Sequence, residues 1–147
     1  MRLTIRSNQA LRVLMVCAVN PGVLLRSADI AQTCKASEHH MAQIIHRLAR
    51  LGYITSVRGR SGGVKLAKDP SEVIIGHVIR SIESEFPFVE CFDPKGCDCP
   101  IAGVCTLRGH FEEALDAFYG VLDRVTLAQI TENNNRLAER LFMEDVA

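Results

Sequence analysis

The chain has 147 residues, of which 48% are apolar, and a formal net charge of zero from 17 basic and 17 acidic side chains. That length supports one domain, or one small domain with an extension, around a modest core. The apolar run at residues 10–19 contains Arg12 and is too short to cross a bilayer, and no secretory signal is visible. The expectation is a cytoplasmic protein, in which clustered cysteines serve as metal ligands or redox groups more often than as disulfides.

The zero net charge averages two opposites. Residues 1–80 carry 12 Lys and Arg against 4 Asp and Glu, whereas residues 81–147 carry 5 against 13. The basic half suits a polyanion such as DNA, and the acidic half does not.

In chain order, residues 9–19 form the first predicted helix, with Ala10, Leu11, Val13, Leu14, Met15, Cys17 and Ala18 on a broad apolar face. Ser7 or Asn8 is its expected cap, Asn20-Pro21-Gly22 its end, and Cys17 a small buried hydrophobe. A short helix follows over residues 27–33, with Ser27 as cap, and breaks near Cys34-Lys35-Ala36. A longer one opens at the N-cap Ser37 and runs to Gly52, with Met41, Ile44, Ile45, Leu48 and Leu51 on one face. Short helix, tight turn and longer helix outline a helix-turn-helix, although an ordinary helical hairpin has the same outline. In the DNA-binding geometry Ser37, Glu38, His39, His40 and Gln43 stand at the end that meets base edges, and Arg47 and Arg50 reach phosphates.

Residues 53–57 are β-type, Arg58-Gly59-Arg60-Ser61-Gly62-Gly63 is a basic turn, and Val64-Lys65-Leu66 returns as a strand. This hairpin converts the outline into a winged helix, with Arg58 and Arg60 on the wing and Arg60 placed for a narrow minor groove. The glycine pair either lets DNA approach or serves the hairpin backbone alone. Another helix is expected over residues 74–83, with His77 on its surface.

Residues 91–105 read CFDPKGCDCPIAGVC. Four of the six cysteines fall here with two prolines and two glycines. Thiolates on such a broken loop match the needs of a soft metal or an iron–sulfur cluster, since the backbone must bend to aim several sulfurs at one point. A structural zinc knot and unmetallated thiols are the alternatives. Beyond the loop, Leu107, Phe111, Ala114, Phe118, Val121 and Val125 form a heptad seam whose expected partner is the same helix of a second copy. Thr126 is a candidate cap for a short helix, and Asn133-Asn134-Asn135 a linker to a final amphipathic piece over 136–143.

Taken together, the opening MRLT, the run HRLARLGYITSVRGRSGG, the VEC and CPIAGVC ends of the loop, and LDRVTLAQI resemble the NsrR, IscR and RirA family of winged-helix iron–sulfur transcription regulators. The resemblance covers nearly the whole chain. It implies a mainly α fold with a small β-hairpin wing: a winged helix-turn-helix over 1–83, a cluster-binding loop over 84–106, and a dimerisation helix with C-terminal helices over 107–147. It also implies a homodimer on a palindromic double-stranded DNA operator, with neither membrane association nor enzymatic activity.

By position the resemblance assigns a cluster to Cys91, Cys99 and Cys105. Cys97 is an extra cysteine that also aligns as the middle ligand. Some members take an aspartate from the first helix of the other subunit as fourth ligand, and here Asn8 stands at that position. The fourth site therefore falls to Cys97, a small exogenous ligand or Asn8, with a 4Fe-4S cluster favoured over 2Fe-2S. Within the family the residues resemble nitric-oxide-sensing repressors most, with iron-responsive regulators next. A DNA binder with structural zinc, and an electron carrier using the same cysteines, are the rivals; the latter leaves the basic half unexplained.

Overall fold

A computed structural model of the chain describes residues 3–59, 62–84 and 87–143. Helix α1 spans Ile5–Val19 and starts four residues before the apolar period becomes visible. Its cap is Thr4, whose side chain accepts from the Ser7 backbone N–H; neither Ser7 nor Asn8 is the cap. The first turn, Ile5-Arg6-Ser7-Asn8, is too polar to show a helical period, and its order comes from a distant partner described below. Of the apolar face predicted for α1, Ala10, Val13, Leu14 and Cys17 are buried and Leu11, Met15 and Ala18 partly so, while Val16, outside that prediction, is buried as well.

Helix α2 spans Ser27–Thr33 and α3 spans Glu38–Arg50. Ser27 is the first helical residue rather than the cap; Arg26 holds that position, and its side chain does not cap the helix. The turn between the helices passes through Lys35 at φ 51°, and Ser37 caps α3 by accepting from the His40 N–H. Met41, Ile44, Ile45 and Leu48 pack inward from α3, whereas Leu51, expected on the same face, is 39% exposed as the C-cap.

Strands β1 (Ile54–Val57) and β2 (Gly63–Leu66) pair antiparallel, with Ile54 opposite Leu66 and Val57 opposite Gly63. Leu25 adds an isolated bridge to Val64, tying the wing to the segment before α2. A Cβ at Gly63 would lie 2.8 Å from the Leu24 and Leu25 backbone, and one at Gly62 would lie 2.3 Å from the Val57 carbonyl. The glycine pair is therefore required by the wing's own packing.

After a 3-10 turn at Pro70–Glu72, α4 spans Ile75–Glu83 and buries Ile75, Val78, Ile79 and Ile82. The cysteine loop follows, then α5 (Leu107–Leu122), α6 (Leu127–Thr131) and α7 (Asn135–Leu141). Thr126 and Gln129 form a reciprocal capping box at the start of α6. Helices α6 and α7 pack on α1. Leu127 is fully buried in the core, and Asn20 donates to the Leu141 carbonyl while accepting from the Met143 N–H. The C-terminal helices thus close the winged unit, although the sequence groups them with the dimerisation helix. The fold is mainly α-helical, with a small antiparallel wing and a long helix attached through the loop. No described helix is long and apolar enough to cross a membrane.

Candidate nucleic-acid interface and metal centre

Helix α3 presents one face to the core and the other to solvent. Ser37, Glu38, His39, Ala42, Gln43, His46 and Arg50 are exposed, and Gln43 Nε2 lies 3.1 Å from His39 Nε2. A groove of about 520 Å³ runs between α3 and the wing, lined in part by Arg26, Ser27, His46, Ser56, Arg58 and Gly59. Among the described residues no acidic side chain lines it, so its field favours an anion. Arg26, Ser27 and His46 belong to this surface but were absent from the sequence-based candidates. His46 was detectable, because 39, 43, 46 and 50 form one polar stripe at helical spacing.

Two candidates point elsewhere. His40 is half-buried, and its Nε2 is enclosed without a hydrogen-bond partner. Arg47 turns toward α4, where Nη2 donates to the Ser81 carbonyl at 2.8 Å. Arg58 is exposed at the end of β1, and Arg60 lies outside the described residues.

The end of α4 carries a second polar centre. Glu83 Oε1 accepts from the Thr4 N–H at 2.9 Å, from the Thr4 hydroxyl at 2.9 Å and from the Ser7 hydroxyl. Burial pushes its carboxyl upward, but these donors and the Arg47 charge outweigh burial and hold it below the usual carboxylate range. Nearby, Arg80 grips Asp123 with two nitrogens at 3.0 and 2.7 Å and lies 4.1 Å from the Tyr119 ring centre, joining α4 to the end of α5.

From Glu83 to Thr126 no described residue is buried. The loop's entry rests on aromatic contacts: Phe88 lies 6.5 Å from Phe92 and 5.9 Å, edge-on, from Phe111. Arg108 covers Phe92 and donates from Nη1 to the Cys91 carbonyl at 2.8 Å. Beyond Phe92 the hydrogen bonds within the loop are local, such as Lys95 N–H to Asp93 Oδ1 at 2.9 Å and Ala102 N–H to the Cys99 carbonyl at 3.0 Å. Cys91 falls in a 3-10 turn, Glu90–Phe92, where the sequence predicts no helix. Gly96 and Gly103 take φ of 124° and 83°, left-handed conformations that suit glycine and bend the chain between the cysteines.

Cys91, Cys97, Cys99 and Cys105 are free thiols, each half-exposed. Cys17 and Cys34 are different. Burial, with Cys34 close by, pushes the Cys17 thiol up to about 12. Burial also raises Cys34, partly offset by the Arg12 charge. Those two are poor thiolate donors at neutral pH, so the available sulfur chemistry belongs to the loop. Its four soft donors on a bendable backbone fit an iron–sulfur cluster. Among the described residues no three His, Cys, Asp or Glu side chains are gathered as a metal-binding group. Asn8 is exposed and lines a different cavity, with Arg12, Met15 and Cys34.

The exposed α5 seam completes the picture. Leu107 is 51% and Val121 56% exposed, with Phe111 and Phe118 half-buried. The helix ends at Leu122, so Val125 leaves the seam; its carbonyl instead accepts from the Ile75 N–H.

A helix-turn-helix with a paired wing and a basic groove between them defines a winged-helix DNA-binding regulator. The pattern of the Rrf2 family, described as an iron-dependent transcriptional regulator, matches residues 3–133, and the chain belongs to that family. It is 43% identical over 142 residues to the HTH-type transcriptional regulator NsrR of Geobacillus kaustophilus, covering 96% of this chain and 97% of that protein. Identity to the NsrR of Bacillus subtilis is 40% over 146 residues, covering 99% and 100%. Among solved structures, the oxidized form of Staphylococcus aureus CymR superposes with a TM-score of 0.69 at 25% identity, covering 90% of this chain and 97% of that one. Members of this family are transcriptional regulators rather than enzymes.

Proposed function

We propose that the protein represses transcription as a homodimer on a palindromic operator, and that an iron–sulfur cluster held by Cys91, Cys99 and Cys105 makes its DNA binding sensitive to nitric oxide. The observation that carries this reading is the contrast between a basic groove beside α3 and a loop of four free, half-exposed thiols with no buried side chain of its own. The names of the NsrR relatives support it.

When bound, the cluster supplies iron that reacts with nitric oxide and that chelators remove. The rest follows from the chain. Glu38, His39, Gln43 and His46 face base edges, and Arg50 and Arg58 face phosphates, while the α5 seam meets its counterpart in the partner. The loop joins α4 to α5, and Arg108 links Cys91 to the first turn of α5. Loop shape therefore sets the angle between the winged unit and the dimer helix. Two half-sites require recognition helices about 34 Å apart, so a small change in that angle weakens operator binding.

Iron availability is the second reading, favoured by the family's description as iron-dependent and by Asn8, whose amide is a weaker iron ligand than a carboxylate. The two separate in one experiment on anaerobically purified protein, with operator binding followed by fluorescence anisotropy. Substoichiometric nitric oxide is expected to bleach the cluster absorbance and release DNA together, while a mild chelator over the same minutes does little. Release by chelator with retention under nitric oxide would replace the first reading by the second.

A further inference from the structure

Arg47 lies on the recognition helix, where a guanidinium normally reaches a phosphate. Its side chain instead crosses to α4, donating to the Ser81 carbonyl at 2.8 Å, and its charge acts on Glu83 two residues further along. Glu83 in turn gathers the Thr4 N–H, the Thr4 hydroxyl and the Ser7 hydroxyl from the start of α1. That carboxylate ties the end of α4 to the start of α1, two residues past the carbonyl that holds Arg47, and it is the last residue of α4 before the segment leading to the cysteine loop.

Met41, Ile44, Ile45 and Leu48 supply the apolar part of the α3 anchorage. Apolar burial is strong but non-directional and tolerates small rotations and slides. Charge-assisted hydrogen bonds are directional, and breaking one side of a partly buried set leaves the remaining group without its partner. The polar link is thus the part of the anchorage able to fix the angle of α3.

We propose that Arg47 and Glu83 are positioning residues that hold the recognition helix at its DNA-reading angle against α4, and that Arg47 is not a phosphate contact. This rests on the reading that α3 faces the operator. It gives the winged unit a direct mechanical connection to the chain that enters the cysteine loop: a shift of the end of α4 moves Glu83 and the Ser81 carbonyl together, and that carbonyl holds α3 through Arg47.

The test compares Arg47→Met, Arg47→Lys, Glu83→Gln and the Arg47→Met/Glu83→Gln pair in the cluster-loaded dimer. Affinity for operator and for a non-specific duplex is measured across salt concentrations, and thermal melts identify the folded variants. Glutamine at 83 keeps an oxygen to accept from Thr4 and removes only the charge. Each single variant is expected to weaken operator binding about tenfold, equivalent to roughly 1.4 kcal/mol, with non-specific affinity and salt slope unchanged. The double variant is expected to be no weaker than Arg47→Met, because both changes act on the same seating of α3 against the end of α4. Arg47→Lys is expected to behave like Arg47→Met, since an ammonium lacks the forked donors of the guanidinium.

A phosphate contact gives the opposite pattern: Arg47→Met lowers the salt slope by about one unit on both duplexes, lysine restores it, and Glu83→Gln is silent. That result overturns the proposal. Should Arg47→Met fail to fold, Arg47→Lys and Glu83→Gln decide by themselves. Arg50→Ala, on the exposed side of the same helix, is the control. If it lowers the salt slope while the other variants are silent, the positioning role alone fails; if it too is silent, α3 is not the DNA-facing helix and both readings fail.

Discussion

Between Ala10 and Ile82 the chain buries a continuous cluster drawn from four helices and the wing, whereas from Glu83 to Thr126 no described residue is buried. The first region is ordered by packing that the chain supplies from its own side chains. The second, which holds the loop and α5, has aromatic contacts at its entry, short-range hydrogen bonds, four thiols and an exposed apolar seam. A region without a core takes its order from what binds it, on the proposed reading a metal cluster for the loop and a second subunit for the seam, and so responds when that ligand changes. A sensor placed inside the packed region would have to disturb the whole fold to be read; in the loop it has only to change one connection.

Three substitutions sharpen this contrast through stability. Leu14→Ala, at a fully buried position of α1, is expected to lower unfolding free energy by about 2–5 kcal/mol in urea melts. Thr4→Ala removes both the α1 cap and a donor to Glu83, and is expected to cost about 1 kcal/mol. Cys91→Ala in the metal-free protein is expected to change stability by no more than about 0.5 kcal/mol, because that side chain is half-exposed and lies outside the buried core. If it costs as much as Leu14→Ala, the loop has a core of its own and the comparison breaks.

Acid adds a test of the boundary between the two regions. The Glu83 carboxyl titrates below its ordinary range in the folded protein, so the unfolded chain binds its proton first as pH falls. Its contribution is fully present above the unfolded value and disappears as pH drops through the lower folded value. The stability difference between wild type and Glu83→Gln, measured by urea melts from neutral pH downward, is expected to shrink over that acidic window. A difference that stays constant would contradict the hydrogen-bonded arrangement at Thr4 and Ser7.

How much of this was legible in the sequence follows from how local each signal is. The Ser37 cap and the apolar period of α3, the alternation of the wing, and the Thr126 cap all act within a few residues, and each appears in the fold. The start of α1 was missed because Thr4 and Ser7 find their partner Glu83 more than 70 positions away. The direction of Arg47 was equally hidden, since helical spacing locates a side chain on a stripe but does not say whether a long one bends back to a neighbouring helix. Val125 continued the heptad spacing, yet the helix ends at Leu122 and Val125 joins the packing around α4. For the loop, composition showed that packing does not organise it. The choice of Cys97 or Cys99 beside Cys91 and Cys105 depends on a ligand's coordination geometry rather than on any period in the chain.

The central claim is that the loop holds an iron–sulfur cluster through Cys91, Cys99 and Cys105. Native mass spectrometry of the anaerobically purified protein, wild type beside Cys91→Ala, Cys97→Ala, Cys99→Ala and Cys105→Ala, tests it most directly. The account predicts a dimer carrying iron and sulfide in the wild type, loss of that mass in the Cys91, Cys99 and Cys105 variants, and a smaller effect in Cys97→Ala. A wild-type mass matching zinc, or a cluster that survives Cys99→Ala but not Cys97→Ala, would contradict it.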